Sequence, residues 1–322
     1  MRIGVWFNPY HLTYGGPSHV LIGTILGFLQ LLPECVILLN EPGDVNWIMD
    51  STDDYTYAVQ KAYYTAIGPL VFTGGEGELT EYASHHLWKT GATFVAPSMW
   101  YKHWICNGLP YNKPELAQHR TLHVWGAGVD TIYYTPSAQK TQDYFIYFKS
   151  QMYDDLSDLH NYLFKNYFNL RGSVLVYYNY DKQHLRAAAQ QSRFCIMLDR
   201  TETQGLASLE IMACDCPLFV IDWHMYTGTK LAIEGASSVP CMDHRCGMKV
   251  RKEDYKNAFG TFLTKLSTYT PRDYVLENYS YAAAARNLLS LIPREHHQSK
   301  HNNEEDDCLN KEANGGNAST IP

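Results

Sequence analysis

The stretch Glu202–Cys216, which reads ETQGLASLEIMACDC, most constrains the fold of this chain, together with the run PLFVID that follows it. Its apolar residues recur at helical spacing after Gly205, which can end a tight loop. Pro217 closes the helix, and the uninterrupted apolar residues 218–221 are typical of a parallel strand covered on both faces. The stretch therefore predicts a loop, a helix and a buried strand of an α/β protein.

Two glutamates lie in this stretch. Glu202 falls in the predicted loop, and Glu210 lies well inside the predicted helix. The free N–H groups of a helix start suit a phosphate, and carboxylates can hold sugar hydroxyls nearby. Acidic groups beside an anion site are compatible when the ligand carries both a phosphate and a polyol. A nucleotide-sugar is such a ligand.

Glu202, Gly205 and Glu210 together resemble the signature of the family-4 glycosyltransferases. In that signature a glycine follows the first glutamate by three positions and a second glutamate follows it by eight, as they do here. Many members have phenylalanine before the glycine, whereas this chain has Gln204, and its Thr-Gln-Gly-Leu-Ala version is similar to one subgroup. The resemblance implies two Rossmann-like, doubly wound parallel-sheet domains that face each other across a cleft, the GT-B fold.

Strand-like and helix-like segments alternate along both halves of the chain, which favours a parallel sheet in each half. The segment Gly126–Thr131 resembles the sequence after which this family crosses between domains, and we expect Asp130 to cap or brace the linker there. We predict an N-terminal domain on the acceptor side (1–135), a C-terminal domain on the donor side (136–295) and a disordered polar tail (296–322).

The predicted strands cover residues 2–7, 36–39, 45–49, 67–72, 93–96, 121–125, 144–148, 173–178, 194–198 and 217–222. Besides the signature helix, one helix is predicted to begin at Pro17 and another directly after Ser98, which we expect to be its N-cap. Further helices are predicted over residues 55–64, 154–168, 181–191, 252–267 and 281–291.

Transfer of a sugar from a nucleotide-sugar requires stabilisation of the leaving diphosphate by a metal ion or by positive side chains and helix-terminal amides. The chain has no convincing Asp-x-Asp motif at a strand end, so we expect a cation instead. Lys149 directly follows a predicted strand and resembles the basic residue that contacts the donor diphosphate in the subgroup. Arg200 is a weaker second candidate.

The resemblance assigns roles to further residues. It implies that Glu210 binds the ribose of the donor and that Glu202 acts near the transferred sugar, with retention of configuration and no clear protein nucleophile. Gly15 and Gly16 either lie near the donor phosphates or the acceptor, or form a plain tight turn. First-domain candidates for a base are Asp50, Glu76, His85 and His86. We predict Lys149 and Glu202 as catalytic, and as donor-binding Gly15, Gly16, Lys149, Glu202, Thr203, Gln204, Gly205, Leu206 and Glu210.

Composition excludes several other classes. A net charge of -7 and a pI near 6.0 argue against binding of nucleic acid. The apolar run Val20–Leu32 is too short to span a bilayer, and Arg2 leads into a strand rather than a signal peptide. We therefore expect a cytoplasmic protein, with peripheral membrane contact left open. The cysteines between 214 and 246 fit no usual zinc spacing, so we expect reduced thiols, no metal and no cofactor beyond the nucleotide-sugar.

Two alternatives to a transferase remain. A nucleotide-sugar epimerase of the same fold would need a strong acid–base pair, which the sequence does not reveal. A catalytically inert sugar-nucleotide-binding protein would not need Lys149 and both glutamates. Enzymes that bind a nicotinamide or S-adenosylmethionine are disfavoured because no complete glycine-rich fingerprint follows a strand.

Overall fold

Parallel β-sheets form the centre of both halves of the chain. The computed structural model describes residues 1–12, 15–49, 64–69, 92–107, 122–149, 152–223, 225–226 and 233–292. Almost all of the predicted helix 55–64, the candidate bases Asp50, Glu76, His85 and His86, and the predicted tail 296–322 lie outside the described residues.

The first sheet has six parallel strands, in the order β2-β1-β3-β4-β5-β6. Its interior strands are mostly apolar because they are covered on both faces, as the burial of β1 after Arg2 shows. The strands are β1 (Arg2–Phe7), β2 (Val36–Leu39), β3 (Val45–Met49), β4 (Thr65–Ile67), β5 (Thr93–Ala96) and β6 (Leu122–Val124).

The second sheet has five parallel strands, in the order β13-β10-β9-β7-β8. They are β7 (Gln142–Phe148), β8 (Gly172–Val176), β9 (Ser192–Leu198), β10 (Leu218–Asp222) and β13 (Gly247–Arg251), and the hairpin β11 (Met225–Tyr226) and β12 (Ile233–Glu234) stands apart. In both sheets the second and third strands flank the first, which is the doubly wound arrangement. Ligands bind such sheets at the carboxyl ends of the strands, where the winding direction changes.

Side chains alternate in direction along each strand of the second sheet, so each strand contributes to a core on both faces. Phe145 and Tyr147 enter one core, and Ile146 and Phe148 enter the other. The described α-helices are α1 (Gly15–Leu31), α2 (Met99–Asn107), α3 (Tyr153–Asn166), α4 (Lys182–Gln191), α5 (Leu206–Ala213), α6 (Tyr255–Thr264), α7 (Pro271–Asn278) and α8 (Tyr281–Leu291). α4, α5 and α7 cover the first of these cores, and α3 and α6 cover the second.

The last helix, α8, packs on the first sheet rather than the second. Ala285, Leu288 and Leu289 of α8 share a core with strands β1 and β3. Helix α1 lies against α8 and presents Gly23 and Gly27 at the contact. The absence of a side chain makes room for the ring of Tyr281 at Gly23 and for the backbone carbonyl of Tyr281 at Gly27. The predicted domain limits at residues 135 and 295 stay a prediction, and α8 adds a second crossing of the chain between the halves.

We expect Gly27→Ala to destabilise the protein by about 1–3 kcal/mol, because the new methyl group would collide with the backbone carbonyl of Tyr281. Gly16→Ala, in the same helix, is the matched control because nothing lies within 4 Å of its added methyl group. Urea unfolding followed by far-UV circular dichroism measures both variants. Equal stability of the two variants would contradict the close packing of α1 on α8.

The linker between the halves is held by its own side chains and by the second half. The Oδ1 atom of Asp130 accepts hydrogen bonds from the N–H groups of Ile132 and Tyr133 at 3.0 and 2.8 Å, which confirms the predicted bracing role. From α7, the guanidinium of Arg272 donates to the carbonyl oxygens of Thr131 at 3.1 Å and of Tyr134 at 2.9 Å. The linker is therefore fastened to the second half.

Several predicted elements need correction. Helix α1 begins at Gly15, so Gly15 and Gly16 form its first turn rather than a preceding loop. Strand β4 ends at Ile67, before Pro69, which has no N–H to continue the ladder. Ser98 precedes α2, and its carbonyl accepts from the N–H of Lys102, but its buried hydroxyl has no hydrogen-bond partner in the described structure, so the predicted side-chain cap is wrong.

The remaining differences concern the end of the second half. The predicted helix 252–267 divides into α6 and a 3₁₀ turn at Leu266–Thr268. The sequence analysis missed β13, α7 and the small hairpin. Among the helices that the structure describes, none is long and apolar enough to cross a membrane.

Candidate functional site

Strand register brings the predicted catalytic lysine to the carboxyl edge of the second sheet. Phe148, the last residue of β7, pairs with Val176 of β8 and Leu198 of β9. Lys149, Tyr177 and Asp199 follow these three residues directly, so they emerge side by side at this edge. This is the position at which the winding of the sheet reverses and where ligands bind in doubly wound folds.

Lys149 and Glu202 form an ion pair at this edge. The Nζ atom of Lys149 donates a hydrogen bond to Oε1 of Glu202, and it lies 4.5 Å from the ring centroid of Tyr177. Both charged side chains are 22% exposed, so a ligand can reach them while their interaction is only partly screened by water. The structure therefore joins the two residues that the sequence predicts as catalytic.

A second carboxylate, that of Asp199, lies beside this pair and is fully buried. Burial lowers the pKa of Lys149, but the carboxylates of Glu202 and Asp199 outweigh it and raise this pKa above its ordinary value. Burial raises the pKa of Glu202 to about 7, with Asp199 acting in the same direction and Lys149 opposing both. The pKa of Lys149 is raised because two carboxylates share its ammonium group, and the pKa of Glu202 is raised because this residue is buried beside a second carboxylate. Lys149 thus stays charged at neutral pH.

The raised pKa of Glu202 predicts a pH-dependent contribution to stability. Because the folded-state pKa, about 7, lies above the ordinary value of 4.5, ionisation of Glu202 opposes folding. Its contribution is fully present below pH 4.5 and is lost as the pH rises through about 7. We expect the Tm of wild type minus that of Glu202→Gln to fall across this window in scanning fluorimetry. A difference that is constant or that grows with pH would contradict this assignment.

The loop that carries Glu202 is held in place through its backbone. The N–H of Glu202 donates to the carbonyl of Ser237 at 3.0 Å, and the indole N–H of Trp100 donates to the carbonyl of Glu202 at 2.9 Å. Trp100 belongs to α2 of the first half, so both halves hold the loop. Ser237 is in turn fixed by hydrogen bonds to Asp222 at 2.6 Å and from Lys249 at 2.7 Å.

Helix α5 begins at Leu206, directly after this loop. Gly205 has φ +78, a left-handed conformation that favours glycine, and its carbonyl accepts from the hydroxyl of Ser208 at 2.7 Å. The turn aims the first N–H groups of α5 out of its N-terminal end, where helix amides attract anions. The side chain of Leu206 packs against the cores of both halves. The helix start is therefore firmly placed, close in sequence to Glu202.

Glu210 is buried and paired. Its Oε1 atom lies 3.4 Å from Nζ of Lys182, the first residue of α4. Burial raises the pKa of Glu210, and Lys182 opposes this shift. A buried carboxylate is costly unless a partner satisfies it, and Lys182 supplies that partner.

Lys182 also lines a pocket of about 440 Å³, together with Tyr133, Tyr134 and Tyr281. This volume is within the range of sites that hold small molecules. The pocket lies between the linker and the starts of α4 and α8. Two neighbours of the Glu210 carboxylate, Lys182 and Tyr134, thus line this pocket.

Two further side chains relate this pocket to the rest of the cleft. His19, in the second turn of α1, has its pKa lowered by burial and by the charge of Lys182, so the first half reaches the same region. The hydroxyl of Tyr180 donates to that of Tyr147 at 3.0 Å, and burial raises the pKa of Tyr180 to about 12. Glu210 raises and Lys149 lowers the pKa of Tyr180, so this tyrosine is near a member of each charged pair.

The other predicted donor-binding residues differ in what the structure shows. The side chain of Gln204 is buried and hydrogen-bonded to the backbone of Ala127 rather than directed at open space. Thr203 is half-buried in the bend before α5. Gly15 and Gly16 are exposed in the first turn of α1, and Gly15 has φ +49. Their contact with a donor stays a prediction.

Sequence reasoning missed Asp199, Tyr177, Lys182, His19 and Trp100. Asp199 had a usable signal, because it follows a predicted strand just as Lys149 does, whereas Tyr177 fell inside the predicted strand 173–178, which ends at Val176 in the structure. Lys182 begins a helix after the capping residue Asp181, which is also readable from sequence. Nothing local marks His19 or Trp100, because their contacts depend on how the two halves meet.

Within the described ranges, no three His, Cys, Asp or Glu residues are grouped in a way that would bind an ion. Cys214, Cys216, Cys241 and Cys246 are free and buried. Burial raises the pKa of each of these thiols, so they stay protonated at neutral pH.

The chain is similar in structure to several solved proteins. No protein-family model matches the chain, and no curated protein sequence matches it significantly. The sucrose-phosphate synthase from Thermosynechococcus elongatus aligns with a TM-score of 0.52 at 11% identity, covering 90% of this chain and 98% of that one. The catalytic domain of starch synthase IV from Arabidopsis thaliana aligns with a TM-score of 0.47 at 11% identity, covering 87% and 79%. WaaG, a glycosyltransferase of lipopolysaccharide biosynthesis, aligns with a TM-score of 0.44 at 8% identity, covering 92% and 100%.

The fold is therefore GT-B: two Rossmann-like parallel-sheet domains, as the sequence predicted. At this level of identity the comparison shows the fold, and one fold supports many activities. What the chain does has to be argued from its site.

Proposed function

We propose that the protein is a glycosyltransferase, which moves a sugar from a nucleoside-diphosphate sugar to an acceptor hydroxyl. One observation carries the proposal: at the carboxyl edge of the second sheet, Lys149 pairs with Glu202, and Glu202 lies in the loop that leads into α5. A cation and a helix start at this place suit a diphosphate, and the adjoining carboxylates suit sugar hydroxyls. The GT-B fold shared with a sucrose-phosphate synthase is compatible with this chemistry.

Each group has a distinct role in the proposed reaction. As the bond between sugar and diphosphate breaks, negative charge develops on the leaving oxygen, and the ammonium of Lys149 stabilises it. The N–H groups at the start of α5 hold the phosphates, and Glu202 orients Lys149 and the transferred sugar. Glu210 holds the ribose hydroxyls, for which Lys182 moves aside. We propose that Lys149 takes the place of a divalent ion.

The family resemblance supports retention of the anomeric configuration. The acceptor then attacks from the face that the diphosphate leaves, and a phosphate oxygen of the leaving group accepts the proton of the acceptor hydroxyl. The proposal places the donor on the second half and a carbohydrate or glycan acceptor on the first. It places the reaction in the cytoplasm and involves no nucleic acid and no cofactor.

A panel of nucleotide-sugars, each incubated with the protein and a mixture of sugar acceptors, tests the proposal. Chromatography with mass spectrometry measures the released nucleoside diphosphate and the glycosylated product, with and without EDTA. We expect release from one donor, accompanied by transfer or slow hydrolysis, at the same rate in EDTA. An altered sugar on an intact donor would indicate an epimerase, and binding without turnover would indicate an inert protein; either result would overturn the proposal.

A further inference from the structure

The side-chain amide of Gln204 is hydrogen-bonded to the protein backbone rather than left free for a ligand. Its Oε1 atom accepts the N–H of Ala127 at 2.9 Å, and its Nε2 atom donates to the carbonyl of Ala127 at 2.6 Å. The amide of one side chain thus satisfies both backbone groups of one residue. Gln204 is 5% exposed and Ala127 is fully buried, so water cannot replace either hydrogen bond.

Ala127 lies in the segment Gly126–Val129, which crosses between the two halves. A side chain at Gly126 would lie 2.8 Å from the ring of Tyr279, and one at Gly128 would lie 2.9 Å from the carbonyl oxygen of Ser280. The crossing segment therefore runs in a slot between Gln204 and the residues that lead into α8. Glycine on both sides of Ala127 is what allows the segment to fit there.

The slot joins both places at which the chain passes between the halves. The N–H of Val129 donates to the carbonyl of Tyr279 at 2.8 Å, and Val129 and Ser280 form an isolated parallel bridge. The indole N–H of Trp125 donates to the carbonyl of Ala284, in α8, at 2.8 Å. Gln204, two residues after Glu202, hydrogen-bonds the signature loop to this junction.

We propose that Gln204 is a positioning residue, whose amide locks the loop bearing Glu202 onto the crossing segment at Ala127. This inference rests on the proposed transferase function. It reassigns the side chain that sequence analysis placed among the donor contacts. Because both ends of the amide are engaged with Ala127, Gln204 acts on the donor through Glu202 and the start of α5, and it links their position to the junction between the halves.

Hydrogen–deuterium exchange of the ligand-free protein tests the lock without any donor. Gln204→Met keeps the length of the side chain but loses both hydrogen bonds. We expect faster exchange in the peptides that contain Ala127 and Glu202, and unchanged exchange in α3. Gln191→Met, at an exposed position at the end of α4, is the matched control. Unchanged exchange around Ala127 and Glu202 in Gln204→Met would overturn the inference.

Gln204→Glu provides a second variant that keeps the acceptor for the N–H of Ala127 while placing a carboxylate against its carbonyl. We expect its exchange at Ala127 and Glu202 to exceed that of wild type as well. If Gln204→Met does not fold, this variant decides the question by the same comparison.

Kinetics then shows whether the lock serves the reaction. We expect kcat to fall about 10- to 100-fold in Gln204→Met, with KM for the donor changed less, because a misplaced loop impairs chemistry more than binding. The loss should be smaller when Lys149→Met is already present, since both substitutions disturb the placement of Glu202. Normal kcat and KM in Gln204→Met, or a loss of kcat that adds fully to that of Lys149→Met, would overturn the positioning role. If no donor is turned over at all, the proposed function fails, and the exchange experiment still decides the inference.

Discussion

Lys149→Met is expected to lower turnover about 100- to 1,000-fold, the range typical of removing one preorganised charge from a transition state. Methionine fills much of the volume of the lysine stem but leaves Glu202 and Asp199 without the ammonium that faces them. The charge that develops on the leaving diphosphate then has only the helix N–H groups to stabilise it. The KM for the donor should rise by less than about 10-fold, because the helix start still binds the phosphates.

Steady-state kinetics with the donor identified by the panel measures this split between kcat and KM. Lys165→Met, at an exposed position in the last turn of α3, is the matched control and should retain wild-type kinetics. Normal turnover in Lys149→Met would remove the central cation from the mechanism. A rise in KM alone would mean that Lys149 only binds the donor.

Glu210→Gln is expected to raise the KM for the donor about 10- to 100-fold, with little change in kcat. A hydrogen bond to a charged group contributes about 1.5–3 kcal/mol, and the amide retains only part of the bonding to a ribose diol. The substitution also leaves Lys182 without the carboxylate that lies 3.4 Å from its ammonium. The effect should appear with the whole donor and with its free nucleoside diphosphate, because the ribose is common to both.

The control for Glu210 is Glu253→Gln, an exposed glutamate just before α6, which should bind the donor like wild type. Isothermal titration calorimetry with the nucleoside diphosphate measures affinity independently of turnover. Wild-type affinity in Glu210→Gln would place the ribose elsewhere. A large loss of kcat at normal affinity would instead assign Glu210 to the chemical step.

Most of the fold could be predicted because its signals are local. β1 and α8 have the predicted limits, since apolar runs and helical spacing mark them without help from distant residues. The start of α1 was misplaced because adjacent glycines usually indicate a loop, whereas here Gly15 and Gly16 form the first helical turn. Helix α7 is short and polar, so its sequence offers no apolar stripe to recognise.

The placement of the candidate residues could be predicted where it depends on position along a strand or helix. Lys149 and Glu202 each lie where a parallel sheet presents its ligand-binding edge, and the structure joins them. The pairing of Glu210 with Lys182 and the bond of Gln204 to Ala127 join residues that are 28 and 77 positions apart. Such contacts depend on the register of the strands and on how the two halves meet, and neither is encoded in a local pattern.

The most direct test of the proposed site compares a nucleoside, its diphosphate and its nucleotide-sugar by thermal shift, using the uridine, adenosine and guanosine series. Ligands that bind only the folded state raise stability by about 2.7 kcal/mol at a concentration of one hundred Kd. For one series, the diphosphate should raise the Tm of the wild type clearly more than the nucleoside does. In Lys149→Met, the difference between the Tm shift caused by the diphosphate and that caused by the nucleoside should be smaller than in the wild type. Equal shifts for nucleoside and diphosphate, or an unchanged difference in the variant, would contradict a cleft that holds an activated sugar by its phosphates.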